Sequence, residues 1–205
     1  MTERSRERQR LCDLVSEQAL ALPLYIYGPS GCGKSAVVRS VLDEVGVPTA
    51  YVDCLAQSTA QTLFESALNQ LAGHRPSSTN GYSNWAICDS VGAFIAGLRQ
   101  LVSVLGRVCL VFDKAERLSA RGELLQTLVE LPELVNAAAA ITATADEDGR
   151  LAGGVLPIFV GETLWANFQR VCEGDPCVVP FRFQVRAARR GAGRWGDGWL
   201  CAGRQ

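Results

Sequence analysis

Short apolar runs alternate with amphipathic stretches along most of this chain. Five runs rich in β-branched and aromatic residues have the length of strands and lie at residues 22–27, 49–54, 108–112, 155–160 and 178–183. Between them, apolar residues recur at helical spacing over residues 35–45, 58–72, 91–105, 123–136 and 162–170. The run at 108–112 does not alternate with polar residues, which is typical of a parallel sheet that helices cover on both faces. The pattern predicts an α/β fold with a parallel five-stranded sheet flanked by helices.

Several predicted helices carry recognisable ends. Gly46, Gly73 and Gly106 stop the first three apolar helical patterns. At the start of the second helix, Ser58 and Gln61 have the three-residue spacing of a capping box, in which each side chain bonds the backbone amide of the other residue. We therefore expect Ser58 to be the N-cap of this helix.

Three segments lack a periodic pattern. Residues 74–84 are polar and rich in turn formers, which predicts a surface loop. Residues 137–154 are biased toward Ala and Gly and contain three consecutive acidic residues, so we expect a flexible insert. Residues 184–205 are rich in Arg, Gly and Trp, and we expect an irregular tail. Residues 1–183 are long enough for one domain with a single core.

Composition restricts the class of protein more than its function. The chain of 205 residues has a formal net charge of −1, 48% hydrophobic residues and 20% charged residues, as soluble globular proteins do. This charge balance gives no overall attraction for nucleic acid. No apolar run approaches the ~20 residues of a membrane span, and the charged N-terminus lacks the apolar segment of a secretory signal. We therefore expect a soluble protein that does not contact membranes and is not secreted.

The eight cysteines are scattered without a Cys-x-x-Cys pair, and several lie within apolar runs. We expect reduced, mostly buried thiols rather than zinc ligands or disulfides. His74, the single histidine, lies in the polar loop without an acidic or cysteine neighbour, so no catalytic or metal-binding role is expected for it.

A glycine-rich segment follows the first predicted strand and precedes the first predicted helix. It matches the phosphate-loop pattern G-x-x-x-x-G-K-S/T with Gly28, Pro29, Ser30, Gly31, Cys32, Gly33, Lys34 and Ser35. In such loops, backbone amides point at phosphate oxygens, the lysine neutralises the β and γ phosphates, and the hydroxyl holds Mg²⁺. We therefore predict that this segment binds ATP with Mg²⁺. The alternative is a glycine turn that only caps the helix.

Asp113 directly follows the apolar strand at 108–112 and is the predicted partner of this loop. A carboxylate at the end of a nearby strand orients Mg²⁺ through the water shell of the metal. In the alternative interpretation, Asp113 only caps the element that follows it.

Four segments, in the same order along the chain, resemble one known family. Residues 110–118 read Leu-Val-Phe-Asp-Lys-Ala-Glu-Arg-Leu, and an Arg-Glu-Arg-Gln box occupies residues 6–9. Phe-Val-Gly-Glu-Thr-Leu-Trp occupies residues 159–165, and Pro-Phe-Arg-Phe occupies residues 180–183. Together they resemble the subunit 5 family of eukaryotic origin recognition complexes, which are initiators of the AAA+ class. The Asp-Lys-Ala-Glu variant of the Walker B motif is much narrower than the phosphate loop, which many families share.

The resemblance implies a AAA+ P-loop nucleotide-binding domain in a ring-like loader that marks replication origins in the nucleus. ATP with Mg²⁺ would act chiefly as a structural and assembly ligand. The other origin recognition complex subunits would be the partners, and DNA would be contacted through the complex. In such relatives, the box with Arg6, Glu7 and Gln9 lies beside the adenine; the alternative is a solvated, charged helix start.

The relatives continue into an α-helical lid and a winged-helix domain. Residues 184–205 do not resemble a lid, so we expect a chain that is truncated after its nucleotide-binding domain.

Two positions depart from the pattern of hydrolysing AAA+ ATPases. Those enzymes generally place Glu after the Walker B Asp to activate the attacking water. Here the position holds Lys114, which has no acceptor while protonated and is no general base at neutral pH. Glu116 is the alternative base, although we expect its side chain to point elsewhere. The sensor position at the end of the fourth strand, commonly polar, is Gly161, so we expect weak or absent hydrolysis.

Arg170 follows the fourth predicted strand and is a candidate arginine finger for a neighbouring subunit's nucleotide. The alternative is a solvated surface arginine. Two rival functions also stay open. An actively hydrolysing AAA+ ATPase or a P-loop kinase would release or transfer phosphate steadily, and a nucleotide-independent scaffold would not need the loop.

Overall fold

The computed structural model describes residues 3–16, 22–135, 154–172 and 177–183. The predicted insert, apart from Gly154, and the predicted tail lie outside these residues. The strands are β1 Leu24–Tyr27, β2 Thr49–Asp53, β3 Val108–Asp113, β4 Val155–Gly161 and β5 Val179–Arg182. The helices are α1 Glu3–Ser16, α2 Lys34–Val45, α3 Ala60–Leu71, α4 Val91–Leu105, α5 Gly122–Val129 and α6 Trp165–Val171. Short 3-10 helices lie at Ser78–Asn80 and Ala115–Ala120. None of the helices in the described part of the chain is long and apolar enough to cross a membrane.

All five strands pair in parallel, in the order β2-β3-β4-β1-β5. Parallel strands require crossover connections. Helix α2 connects β1 to β2, which are not neighbours in the sheet, and α3 and α4 lie between the neighbours β2 and β3. In the register of the sheet, Asp53 pairs with Asp113 and Tyr27 pairs with Gly161. The carboxyl ends of four strands therefore form one edge of the sheet. This arrangement confirms the predicted α/β fold with a parallel five-stranded sheet.

Helices cover both faces of the sheet. Because successive side chains of a strand point to opposite faces, Tyr25 of β1 packs in one core cluster while Leu24 and Ile26 pack in the other. Buried residues of α3, α4, α5 and α6 complete the first cluster, and those of α1 and α2 complete the second. Strand β3 is buried on both faces, which accounts for its unbroken apolar run.

Helix α1 is not among the helices that the apolar pattern predicts, although a charged helix start was the alternative for residues 6–9. Leu11 and Val15, one helical turn apart, are buried in the same cluster as Val38 of α2. Arg8 of α1 also forms an ion pair with Glu44 of α2. The four-residue spacing of the two buried residues is the signal that predicts this helix, and the surrounding charged residues obscure it.

Helix α3 has a different N-cap from the one expected. The Thr59 hydroxyl accepts a 3.1 Å hydrogen bond from the Thr62 amide, and the Thr62 hydroxyl accepts a 3.3 Å bond from the Thr59 amide. The prediction of Ser58 as the N-cap is therefore wrong. Its expected partner Gln61 instead donates to Glu65, one turn further along α3. Two adjacent hydroxyl residues can both cap, and the reciprocal bond from Thr62 selects Thr59.

The helix predicted over residues 123–136 is divided. Helix α5 ends at Val129, and a second helical segment occupies residues 131–135 of the described chain. Pro132 accounts for the division, because its nitrogen has no hydrogen to donate to the carbonyl four residues earlier.

The helix predicted over residues 162–170 begins only at Trp165. Leu164 has extended backbone angles, with φ −64° and ψ 149°. The Thr163 carbonyl accepts a 2.7 Å hydrogen bond from the Tyr25 hydroxyl. This bond ties the segment after β4 to the core, and the chain bends at residues 162 and 163 before the helix starts.

Strand β2 lies at an edge of the sheet, and a side chain covers its centre. Gln70 of α3 accepts a 2.8 Å hydrogen bond from the Tyr51 amide and donates a 3.0 Å bond to the Tyr51 carbonyl. The Gln70 amide thus occupies both backbone groups that a neighbouring strand would use at this position.

Seven cysteines lie in the described residues, and each is a free thiol. Five of them are buried: Cys32, Cys54, Cys88, Cys109 and Cys172. Burial raises the pKa of the Cys54 and Cys109 thiols to about 12. These side chains are therefore protonated at neutral pH and pack as small apolar groups.

Candidate nucleotide-binding site

The glycine-rich loop joins β1 to α2 at the carboxyl edge of the sheet. Gly31 and Gly33 have positive φ angles of 71° and 83°, which residues with a Cβ rarely adopt. Gly28 is constrained by space, because a Cβ there would lie 2.6 Å from the Phe183 carbonyl oxygen. The backbone curls tightly between a buried strand and a helix, as the phosphate-loop pattern predicts.

Helix α2 presents an uncapped N-terminus to this loop. It begins at Lys34 with Gly33 as N-cap, and no side chain of the described residues bonds its first amides. Such amides and the helix dipole attract anions. Pro29 and Ser30 are exposed in the loop, whereas Cys32 is buried beneath it.

Lys34 is the buried cation of the site, with 8% of its surface exposed. Its Nζ donates 2.9 Å hydrogen bonds to the carbonyls of Gly28 and Pro29 and lies 3.9 Å from Cys32 Sγ. The loop carbonyls thus satisfy an ammonium that would be costly to bury without partners. The positive charge lies within the curl of the loop, where the lysine of a phosphate loop serves β and γ phosphates.

Ser35 and Asp113 come together from distant parts of the chain. Ser35 Oγ donates a 3.0 Å hydrogen bond to Asp113 Oδ1, which also accepts a 3.0 Å bond from the Lys114 amide. A hydroxyl and a carboxylate in contact beside a phosphate loop fit the oxygen ligands that Mg²⁺ prefers. Lys114 is also the N-cap of the 3-10 helix that follows β3, and its side chain does not cap that helix.

Lys114 pairs with a residue that the sequence patterns did not single out. Its Nζ lies 2.7 Å from Asp53 Oδ2, at the end of the neighbouring strand β2. This hydrogen bond raises the pKa of Lys114 and lowers the pKa of Asp53. Lys114 therefore stays protonated and offers no acceptor to a water molecule. Asp53 ends an apolar strand just as Asp113 does, and this shared pattern was the available signal.

The backbone of Lys114 is left-handed, with φ 59° and ψ 47°. Non-glycine residues rarely adopt this region. The turn follows directly after β3, and the side chain of Lys114 reaches β2 from it. The residue after the Walker B Asp is thus tied to the neighbouring strand.

Glu116 reaches the end of β4. Its Oε2 accepts a 3.3 Å hydrogen bond from the Glu162 amide. A Cβ at Gly161 would lie 3.1 Å from this oxygen and 3.1 Å from the Tyr25 hydroxyl oxygen. Glu116 and Tyr25 therefore fill the space beside the sensor position. Sequence patterns alone do not identify this contact, because it depends on which strands are neighbours.

The box ahead of β1 lies on α1. Gln9 donates a 2.9 Å hydrogen bond to Asp13 of the same helix, Arg6 is exposed, and Glu7 is half-buried. The bond within α1 fits the alternative of a charged helix face. The adenine-side role of Arg6, Glu7 and Gln9 stays a prediction.

Arg170 lies in the last turn of α6, where its side chain is exposed. A cation at a helix C-terminus is stabilised by the helix dipole, so an arginine is favoured at this position without any role at another subunit. A finger acts on the nucleotide of another subunit, so its role stays a prediction that one chain does not test.

Known proteins with related sequences match large parts of this chain. A family model described as an AAA ATPase domain matches residues 1–141. The chain is 42% identical to the origin of replication complex subunit 5 of Arabidopsis thaliana over 82 residues, covering 40% of this chain and 15% of that protein. It is 28% identical to the origin recognition complex subunit 5 of Homo sapiens over 163 residues, covering 77% of this chain and 33% of that protein. These matches confirm the resemblance to the subunit 5 family, and the chain spans a third or less of these relatives.

Solved structures share the fold. A chain of the Drosophila ORC bound to DNA superposes with a TM-score of 0.66 at 22% identity, covering 89% of this chain and 43% of that one. The Aeropyrum pernix ORC1 protein in complex with DNA superposes with a TM-score of 0.60 at 20% identity, covering 90% and 46%. At these identities the likeness concerns the fold alone. Because the family model covers well over half of the chain and includes both the phosphate loop and Asp113, this chain belongs to the AAA ATPase domain family.

Proposed function

We propose that this chain binds ATP with Mg²⁺ at the glycine loop. The observation that carries the proposal is the junction of the loop with β3, where Ser35 meets Asp113 at 3.0 Å beside the buried ammonium of Lys34. Backbone amides of the loop and the N-terminus of α2 would bind the phosphates, and Lys34 would neutralise them. Ser35 would bind the metal directly and Asp113 would orient its water shell.

We further propose that the chain is the nucleotide-binding domain of an origin recognition complex subunit. It would act in the initiation of DNA replication in the nucleus, with the other subunits of the complex as partners and DNA contacted through the assembly. The sequence matches to subunit 5 of two organisms support this assignment. A family model alone would support only the nucleotide-binding fold.

In this proposal, ATP serves mainly as a structural and assembly ligand. Lys114 occupies the position of the usual general base and is paired with Asp53. Glu116 is directed to the Glu162 amide, and Gly161 carries no side chain to contact a terminal phosphate. A ligand that binds only the folded state stabilises it by mass action, without any need for hydrolysis.

Nucleotide binding is tested by thermal unfolding of the chain with increasing ATP and Mg²⁺. At a ligand concentration of about 100 Kd, the expected stabilisation is about 2.7 kcal/mol, or roughly 5–10 °C in Tm for a chain of this length. Lys34→Ala should lose most of this shift. Arg75→Ala, which removes an exposed positive charge in the loop after α3, is the matched control and should keep it. Equal shifts for Lys34→Ala and the control would reject binding at the loop.

Hydrolysis is tested separately by single-turnover assays with labelled ATP. Steady phosphate release on the order of 1 per second, typical of working enzymes, would instead support the rival assignment as an active ATPase or kinase.

Membership of the complex is tested by affinity capture of the chain from native extract. Recovery of other origin recognition complex subunits supports the proposal, and recovery that is equal with Lys34→Ala would favour a nucleotide-independent scaffold.

A further inference from the structure

The chain has two lysines, Lys34 and Lys114, and both lie at the carboxyl edge of β1 and β3. Lys34 is buried within the loop, whereas 42% of the Lys114 side chain is exposed, as is 45% of its partner Asp53. Exposed ion pairs contribute little to stability, because water screens both charges. The ammonium of Lys114 therefore exchanges partners at small cost.

Lys114 also lies next to the residues that fit a metal-bound nucleotide. Its amide donates a hydrogen bond to Asp113 Oδ1, and the Ser35 hydroxyl donates a hydrogen bond to the same oxygen. In phosphate-loop proteins, Mg²⁺ bridges the β and γ phosphates. Ser35 and Asp113 would hold such a metal, and the terminal phosphate of a triphosphate would then lie near the end of β3, where Lys114 is the following residue.

The negative charges around Lys114 favour a cation at this position. Asp53, Asp113 and Glu116 all act electrostatically on its ammonium. Without Lys114, these three carboxylates would lose an ammonium that offsets their charge. A triphosphate adds further negative charge, so a second mobile cation favours its binding more than that of a diphosphate.

We propose that Lys114 is the residue by which this site distinguishes a nucleoside triphosphate from a diphosphate, its ammonium leaving Asp53 for the terminal phosphate. This inference rests on the proposed binding of nucleotide at the loop. The left-handed backbone of Lys114 fits such a role, since uncommon backbone conformations cluster at ligand-binding and switch positions. Lys34 lies within the loop and would contact the β phosphate that diphosphates and triphosphates share.

Calorimetric titration of the 205-residue chain with Mg²⁺ and either ADP or β,γ-methylene ATP tests the proposal. Lys114→Met should weaken binding of the triphosphate analogue about tenfold, the loss expected for one charge-assisted contact, and leave ADP binding unchanged. Lys114→Arg should retain most of the preference. Asp53→Asn frees the ammonium and should strengthen binding of the analogue. An unchanged ratio of the two affinities in Lys114→Met would overturn the proposal.

Nuclear magnetic resonance of the wild-type chain avoids any effect of substitution on folding. Labelling with ¹⁵N-lysine gives two side-chain Nζ signals, and Lys114→Arg assigns them by removing one. The triphosphate analogue should shift the Lys114 signal and ADP should not. If the analogue shifts the Lys34 signal but not the Lys114 signal, the proposed move of the Lys114 ammonium from Asp53 to the phosphate is rejected, whereas nucleotide binding at the loop is supported. If neither signal responds to either nucleotide, the proposed binding at the loop fails as well.

Discussion

Replacing Gly161 with Ala should destabilise the domain although it adds one methyl group. The new Cβ would lie 3.1 Å from both the Glu116 carboxylate oxygen and the Tyr25 hydroxyl oxygen, a tighter approach than most side chains make. Tyr25 has little room to retreat, because its ring stacks on Phe168 at a centroid distance of 3.9 Å and its hydroxyl donates to the Thr163 carbonyl. Overpacking of this kind costs about 1–3 kcal/mol. A value of about 2 kcal/mol follows, because the ring is held but the Glu116 side chain can move by a few tenths of an ångström.

Urea denaturation followed by circular dichroism measures the loss. The free energy of unfolding of Gly161→Ala should fall by about 2 kcal/mol, and Tm should fall by about 4–8 °C. Gly92→Ala is the matched control, because Gly92 lies in α4 and a Cβ there meets no atom within 4 Å. This control should be as stable as the wild type or up to about 1 kcal/mol more stable, since Ala is the better helix former.

A second substitution identifies the cause of the loss. Tyr25→Phe removes the hydrogen bond to the Thr163 carbonyl and should cost about 1 kcal/mol alone. In the double variant, the added methyl no longer meets a hydroxyl, so the combined loss should be at least about 0.5 kcal/mol smaller than the sum of the two. Strict additivity, or a Gly161→Ala variant as stable as Gly92→Ala, would refute the conclusion that Glu116 and Tyr25 fill the space beside Gly161.

Two further substitution and modification experiments address the rest of the domain. Thr59→Ala should lower the free energy of unfolding by about 1 kcal/mol because it removes the N-cap of α3, whereas Ser58→Ala should leave it unchanged. An equal loss in both would contradict the observed cap. Because the pKa of Cys54 is about 12, roughly one thiol in 10⁴ is ionised at pH 8, so iodoacetamide should modify exposed Cys177 first. Labelling of Cys54 should rise steeply with pH and in urea, and mass spectrometry that finds both cysteines modified at equal rates in the folded chain would contradict its burial.

The sheet could be predicted from the sequence because a strand that is buried on both faces requires an unbroken run of apolar residues. Strand β3 needs apolar side chains at every position, and this need produced the unbroken run that indicated a parallel sheet. Helix boundaries were less predictable, because they depend on single hydrogen bonds. The choice of Thr59 over Ser58 rests on the Thr62 hydroxyl, and the late start of α6 rests on the bond between Tyr25 and Thr163.

The residues of the candidate site also differ in how well the sequence predicts them. The phosphate-loop pattern is contiguous, and Gly31 and Gly33 meet a local requirement for positive φ, so a pattern of eight residues predicts the turn. Asp53, Tyr25 and Glu116 take their positions from the order of strands in the sheet. That order places β2 beside β3 and β1 beside β4, and no local pattern encodes it. Contacts across neighbouring strands were therefore not predicted, although Glu116 itself was named as an alternative base.

The contact between the Gln70 side chain and strand β2 limits how this protein can associate with others. Gln70 already satisfies the amide and carbonyl at the middle of β2, and the Asp53 carbonyl accepts the Ala56 amide. An extended peptide would have to displace both contacts before it could form a continuous ladder of main-chain bonds along β2. The domain is thus shielded along this border from fibril-like growth, and association on that side is left to side-chain contacts.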